Sequence, residues 1–231
     1  MQPLDLYATI EEYLEFQDEI DELYKAIALR VIPHQPQTLI DIGCGQGEFC
    51  HIMELNGIKT FGVDLSSKQI EIAKSKGLDV ECIDIKDIKK KFDCATAVFD
   101  VINYIPPKDL EEFFIYTNKL LVDGGYFIFD INSLYGFEDI AQGTLSIDLE
   151  DKFISIDAIF EDDSLYTKIT LFEQQDKLYK KYQSTIQQYY HSCEDITASL
   201  EKANFKVENI VKFNLHSDTI EDKYIVIAFK N

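Results

Sequence analysis

The segment Thr38-Leu-Ile-Asp-Ile-Gly-Cys-Gly-Gln-Gly47 constrains the chain more than any other stretch. A short apolar run, Thr38–Ile42, ends in glycines at 43, 45 and 47, and Glu48–Asn56 continues with helical character to a stop at Asn56-Gly57. The apolar run reads as a buried strand. The glycines permit a tight turn and let another molecule approach the main chain with no Cβ in the way. A strand that turns on glycines into a helix is the opening of a parallel α/β unit.

The same rhythm repeats downstream. Lys59–Val63 reads as a strand, Ser67–Lys76 as a helix closed by Gly77, and Asp79–Ile83 as a third strand. Phe92–Phe99 is a fourth, apolar run, Lys108–Leu121 a helix with Pro106-Pro107 at its start, and Tyr126–Phe129 a fifth strand after the turn Asp123-Gly-Gly125. Strands alternating with helices predict a mostly parallel sheet covered on both faces, with its ligand beyond the carboxyl ends of the strands.

Two segments break the rhythm. The first ~30 residues read as helical, with Leu14, Phe16, Ile20, Leu23, Tyr24, Ile27 and Ala28 on roughly one face. After residue 146, Phe153–Phe160, Leu165–Phe172 and Leu178–Tyr190 are strand-like runs without helices between them, an antiparallel insertion. A helix over Cys193–Ala203 with Ser192 as N-cap, then strands Phe205–Phe213 and Tyr224–Phe229, complete the chain. The expected organisation is one α/β domain, residues 1–146 and 191–231, with a helical cap over about 1–32 and the insertion at 147–190.

Composition narrows the partners. The 231 residues carry a net charge of −20, which repels phosphate backbones and anionic membranes, so neither nucleic acid nor a membrane is expected. No apolar run approaches the ~20 residues needed to span a bilayer, and the N-terminus lacks the basic start of a signal peptide; the expected compartment is the cytoplasm. Cys44, Cys50, Cys82, Cys94 and Cys193 form no C-x-x-C, and the four histidines form no H-x-x-x-H, so no metal site is expected.

A glycine turn before a helix serves two cofactor families, dinucleotides and S-adenosylmethionine. The dinucleotide fingerprint is G-x-G-x-x-G, but Glu48 stands where its third glycine belongs. Asp41 precedes the glycines, where a carboxylate repels a diphosphate and attracts an ammonium group. Asp64 ends the second strand, placed to accept both hydroxyls of a ribose. Asp84 follows the third, placed for an adenine amino group, with Ile85 supplying an apolar face. Three acids at three successive strand ends point to S-adenosylmethionine.

Asp41-Ile-Gly-Cys-Gly-Gln-Gly47, Gly62-Val-Asp-Leu-Ser66, Cys82-Ile-Asp-Ile85 and Phe92-Asp93 resemble the motifs of the class I S-adenosylmethionine-dependent methyltransferases across nearly the whole chain. Asp100-Val-Ile-Asn-Tyr104 and Phe127-Ile-Phe-Asp-Ile-Asn132 resemble a bacterial subgroup of small-molecule type, with an antiparallel insertion before the last helix. The resemblance implies a seven-stranded Rossmann-like sheet whose last strand is antiparallel. It implies that Asp41, Gly43, Cys44, Gly45, Asp64, Leu65, Asp84 and Ile85 hold the cofactor, with Phe99 and Asp100 nearby and Tyr7 closing over it from the N-terminal helix.

Methyl transfer from a sulfonium is an in-line displacement that depends on alignment, with help from a base where the acceptor carries a proton. The candidates are the groups just past strands four and five: Asp100, Asn103 and Tyr104, then Asp130 and Asn132. The Asn-Pro-Pro-Tyr motif of base- and glutamine-modifying enzymes is absent. The acceptor is expected to be a small molecule methylated on N or O. A protein or tRNA acceptor, or a non-catalytic S-adenosylmethionine-binding subunit, remain as alternatives. The Tyr-rich insertion is open to two roles, a lid over the acceptor or a homodimer surface.

Overall fold

The computed structural model describes residues 3–14, 16–216 and 219–231. Strands β1 (Thr38–Ile42), β2 (Lys59–Asp64), β3 (Val80–Cys82), β4 (Phe92–Ala97), β5 (Leu121–Asn132), β10 (Phe205–Phe213) and β11 (Lys223–Lys230) build a seven-stranded sheet in the order β10-β11-β5-β4-β1-β2-β3. The five central and edge strands β1 to β5 run parallel, whereas β11 pairs antiparallel with both β5 and β10. Strand order reverses at β1 and β4, so the crevice beyond their carboxyl ends is the expected ligand position.

Helices cover both faces because the central strands are apolar on both. On one face α5 (Leu110–Leu120) and α7 (Cys193–Lys202) bury Phe114, Ile196 and Leu200 against Phe127, Phe129 and Phe205. On the other, α2 (Gln17–Val31) and α3 (Glu48–Leu55) bury Leu23, Ile27, Val31, Phe49 and Met53 against Leu39, Cys94, Ile128 and Ile225. Full burial of each large side chain contributes about 1.5–3 kcal/mol. Helix α4 (Ser67–Ser75) opens on Ser66, whose hydroxyl accepts the Gln69 amide, and it seals Cys44, Cys50, Leu78 and Val80 with Ile70 and Ala73.

The insertion is a separate four-stranded antiparallel sheet, β6 (Thr144–Asp148), β7 (Lys152–Glu161), β8 (Ser164–Gln175) and β9 (Leu178–Tyr189), in sequence order. Strand β6 and helix α6 (Leu134–Ile140) have no counterpart in the sequence reading. Both are short, and β6 is exposed along most of its length, so neither carries an apolar period to read.

Three other boundaries moved. The helical N-terminus is two helices, α1 (Pro3–Ile10) and α2, separated by a 3-10 turn at Glu11–Tyr13. They separate because they serve different sheets: α2 packs on the seven-stranded sheet, while Leu6, Ile10 and Leu14 pack on Ile154, Ile169, Leu171 and Ile186 of the insertion. Strand β5 starts at Leu121, and the predicted turn at 123–125 is an outward excursion in it: pairing jumps from Phe92 with Leu121 to Cys94 with Tyr126. Strand β4 stops at Ala97, because Phe99 and Asp100 both take positive φ, +63° and +62°.

Candidate active site

The loops after β1, β2, β4 and β5 and the segment after β3 converge at the carboxyl ends of the sheet. Gly43 and Cys44 donate their amides to the Val63 carbonyl at 2.7 and 3.0 Å, which lays the glycine loop across the end of β2. Gly45 has φ +53°, and a Cβ built on it would meet nothing within 4 Å, so its backbone faces open space. Gly43 is closed: a Cβ there would lie 2.5 Å from the Val101 side chain. The Cys44 side chain turns inward to the cluster under α4, leaving only its backbone on the loop surface.

Asp64 stands beside the open glycine. Its carboxylate accepts the amides of Gly45 at 3.1 Å and Ser66 at 2.7 Å, so it ties the glycine loop to the start of α4. Burial pushes its pKa up, against the lowering effect of those amides. Leu65, next to it, is exposed. Asp84 accepts the Lys86 amide at 3.0 Å and pairs with the Lys86 ammonium at 2.9 Å, and it stays half-exposed, with Ile85 buried behind it.

Asp41 lies beneath the loop, 2 % exposed, between Thr96 and Cys50. The Thr96 hydroxyl donates to one oxygen at 2.7 Å and the Cys50 thiol to the other at 3.8 Å. Thr96 is its register partner on β4, so the contact is built into the strand pairing. Burial raises the Asp41 pKa to about 7, with a smaller lowering from the two side-chain donors.

Helix α1 and the 3-10 turn after it pack against the glycine loop and α4. The Ser66 hydroxyl donates to Asp5 at 2.7 Å, the Lys68 ammonium to the Thr9 hydroxyl at 2.7 Å, and Gln46 and Gln69 both to the Glu11 carboxylate, at 2.9 and 3.1 Å. This face of the helix is tied to the glycine loop and α4 by polar contacts, whereas its apolar face belongs to the insertion. Tyr7, on the same helix, and Tyr104, after β4, enter one apolar cluster. Burial pushes both hydroxyls well above their ordinary pKa, and the Glu11 and Asp100 carboxylates add to the rise in each. A cavity of about 400 Å³ opens where α1, the glycine loop, α4 and the insertion meet, lined among others by Thr9, Gln46, Lys68, Tyr13, Lys152 and Glu173.

The turn after β4 is held from below. The Asp130 carboxylate on β5 accepts the amides of Phe99 at 2.7 Å and Asp100 at 3.3 Å. Lys223, at the start of β11, donates to Asp130 at 3.1 Å, to the Asn132 side-chain oxygen at 2.8 Å and to Asp100. Burial raises the Asp130 pKa to about 6, with Lys223 pulling it down and Asp100 pushing it up. Asn103 is fully buried; its side-chain NH2 donates to the Tyr189 carbonyl of β9 at 2.9 Å and its oxygen accepts the Asn132 amide at 3.0 Å.

Of the residues predicted from sequence, Gly43 and Gly45, Asp64 and Leu65, Asp84 and Ile85, and Phe99, Asp100 and Tyr104 end or follow β1, β2, β3 and β4 in turn, and Tyr7 shares an apolar cluster with Tyr104. Asn103 and Asp130 lie in the frame beneath them, with their polar atoms engaged by neighbouring backbone and Lys223. Three residues of the site escaped sequence reasoning. Tyr24 of α2 packs edge-on against Phe99, ring centroids 5.2 Å apart, and was legible only as a core position. Glu11 sits in an acidic stretch that reads as a solvated face, and Lys223 is a lone cation 93 residues from Asp130.

These features are those of a known family. A methyltransferase domain matches residues 13–210, and the chain belongs to that family. The structure superimposes on an S-adenosylmethionine-dependent methyltransferase from Clostridium acetobutylicum with a TM-score of 0.78 at 23% identity, covering 99% of this chain and 97% of the other. It also superimposes on S-adenosylmethionine-bound CalS10, an amino pentose methyltransferase from Micromonospora echinaspora, at TM-score 0.71 and 14% identity, covering 100% and 98%. Among sequence relatives, a putative methyltransferase of Geobacillus sp. (strain WCH70) is 28% identical over 119 residues, 47% of this chain and 48% of that protein. The chain spans about half the length of the curated relatives it matches. The fold is that of the S-adenosylmethionine-dependent methyltransferases. The open Gly45 backbone beside the partly buried Asp64 fits that cofactor. No helix among the described residues is long and apolar enough to cross a membrane.

Proposed function

We propose that this protein transfers a methyl group from S-adenosylmethionine to the nitrogen of a small-molecule amine. The observation that carries the reading is the open Gly45 backbone beside Asp64, at the carboxyl ends of the strands and roofed by the Tyr7 helix. The bound cofactor supplies a methyl group on a sulfonium sulfur, activated toward displacement. Asp64 is assigned to the ribose hydroxyls, the 43–45 backbone with Asp41 beneath it to the amino-acid end, and Asp84 with Ile85 to the adenine. Leu65 and Phe99 flank the cofactor, and Tyr7 closes over it.

On the acceptor side, Tyr104 keeps its proton at neutral pH, because burial first and then the surrounding groups Tyr7, Asp100, Asp64 and Glu11 oppose its ionisation. It therefore serves as a hydrogen-bonding partner that aligns the acceptor. Asp100 keeps 19% of its side chain exposed, against 4% for Lys223 and none for Asp130. It is the carboxylate of that cluster placed to take a proton from an ammonium group. Asp130 and Asn103 position the turn. Carboxylates surrounding the Tyr104 hydroxyl favour a cationic acceptor, and a neutral alcohol gains nothing from them. The insertion backs the α1 lid, since its inner face carries that helix.

The test is a panel of small amines, amino sugars, amino alcohols and hydroxy acids, scored by release of S-adenosylhomocysteine. Turnover with amines is expected. Turnover confined to hydroxy acids, protein or tRNA would replace the acceptor, and none at all would leave a binding subunit. A thermal shift with S-adenosylhomocysteine but not NAD is expected in parallel; stabilisation by NAD alone would overturn the cofactor.

A further inference from the structure

We propose that Lys223 is the positioning residue of the acceptor side, acting through Asp130 and Asp100 on the turn that follows β4. The inference rests on the methyltransferase reading for its kinetic consequence but not for its structural one. Phe99 and Asp100 are consecutive non-glycine residues at φ +63° and +62°. Left-handed backbone at a non-glycine residue is strained and persists only where its surroundings over-determine it. The Asp130 carboxylate supplies that constraint by accepting both amides, one per residue.

That carboxylate is fully buried. A buried carboxylate loses its charge unless a cation or hydrogen-bond donors compensate the lost hydration. The cation is Lys223, itself 3 % exposed, whose three ammonium protons have three acceptors: Asp130, Asn132 and Asp100. The third contact reaches past the frame to the carboxylate that meets the opening. One ammonium group therefore sets both ends of the turn, its amides through Asp130 and its side chain through Asp100.

Strand pairing explains how Lys223 is delivered. It is the register partner of Asn132 on β5, and the next pairs up the ladder are Tyr224 with Ile131 and Ile225 with Asp130. Antiparallel pairing of β11 with β5 thus brings the start of one strand to the end of the other, beside the turn. Preceding it, the Asp222 carbonyl accepts the Ser133 amide at 2.8 Å, and a Cβ on Gly136 would lie 2.3 Å from that same oxygen. The backbone that presents Lys223 is thereby clamped on α6.

Removing the cation while keeping its bulk isolates this role. In Lys223→Met, the Phe99 and Asp100 amides are expected to exchange with solvent deuterium at least tenfold faster. The Gly43 and Cys44 amides, bonded to Val63, are expected to keep their rates. With the best amine of the acceptor panel, kcat falls at least tenfold while the Kd for S-adenosylhomocysteine, which Phe99 flanks, weakens by clearly less than kcat falls. Lys223→Arg, which keeps the charge, restores most of the exchange protection. Unchanged exchange at residues 99 and 100 in Lys223→Met overturns the proposal, as does S-adenosylhomocysteine affinity that drops as far as kcat. If Lys223→Met is insoluble, the wild-type protein decides: both amides must be protected at least a hundredfold over an unstructured loop, and fast exchange there ends the argument. An enzyme that turns over no amine strikes the functional reading, and the exchange rates still settle Lys223.

Discussion

Glu11 and Gln46 stand 35 residues apart in sequence and meet through a 2.9 Å hydrogen bond that fastens the N-terminal cap to the glycine loop. The same carboxylate takes the Gln69 side chain at 3.1 Å, so one acid holds the cap to both the glycine loop and α4. The apolar face of the cap lies on the insertion. The cap is thus tied by polar contacts on one side and by apolar packing to the second sheet on the other.

Glu11→Ala is expected to release that latch. Two partly buried hydrogen bonds to a charged acceptor contribute about 1–3 kcal/mol together. The expected result is a roughly five- to 150-fold weaker Kd for S-adenosylhomocysteine with faster dissociation, measured by calorimetry and stopped flow. An unchanged dissociation rate would mean that the cap does not gate the site.

Asp64→Ala is expected to weaken cofactor binding by at least ~1 kcal/mol through lost hydrogen bonds to the ribose. Because Asp64 also accepts the Gly45 and Ser66 amides, the melting temperature should drop in the ligand-free protein as well. Calorimetric titration checks the first effect and a thermal melt the second. Wild-type affinity in the variant would remove Asp64 from the cofactor site.

Asp41 makes a pH-dependent prediction. Its folded pKa is about 7, raised mainly by burial, above an unfolded value near ~4. The folded state thus binds the proton more tightly, and this group's stabilising contribution is complete below pH ~4 and lost as pH rises through 7. Asp41→Asn carries no such loss. It should be more stable than wild type at pH 8, by up to about 4 kcal/mol for a shift of this size, and the gain should vanish near pH 4. Urea melts of both proteins at the two pH values provide the comparison. A gain that grows toward low pH would contradict the sign.

Asn103→Ala separates framework from chemistry. The substitution orphans the part-buried Tyr189 carbonyl and the buried Asn132 amide and is expected to cost about 2–5 kcal/mol of stability. Protein that remains folded should keep a kcat within about tenfold of wild type, since the side chain is fully buried. A loss of kcat far beyond that, with stability intact, would return Asn103 to the reacting groups.

The glycine turn and the strand ends were legible in the chain because they are local. The turn at 43–47 lies within one strand–helix unit, and the acids at 64 and 84 each follow directly on an apolar run whose strand character shows in its composition. Periodicity and glycine spacing suffice for such features. The seven-stranded sheet was legible for the same reason, down to the antiparallel last strand that the resemblance implied.

What tertiary structure decided is the meaning of residues whose partners are distant. Sequence places Asn103, Tyr104, Asp100 and Asp130 near two strand ends without saying which face open space. Folding brings Lys223 under Asp100 and Asp130 and Tyr189 over Asn103, so the polar atoms of Asn103 and Asp130 are engaged inside the frame while Asp100 keeps part of its side chain exposed. It likewise splits the helical N-terminus between two sheets. Local patterns carry strands, turns and caps because those depend on neighbours in the chain. Charge pairing and burial depend on neighbours in space, and here those lie some 90 residues away.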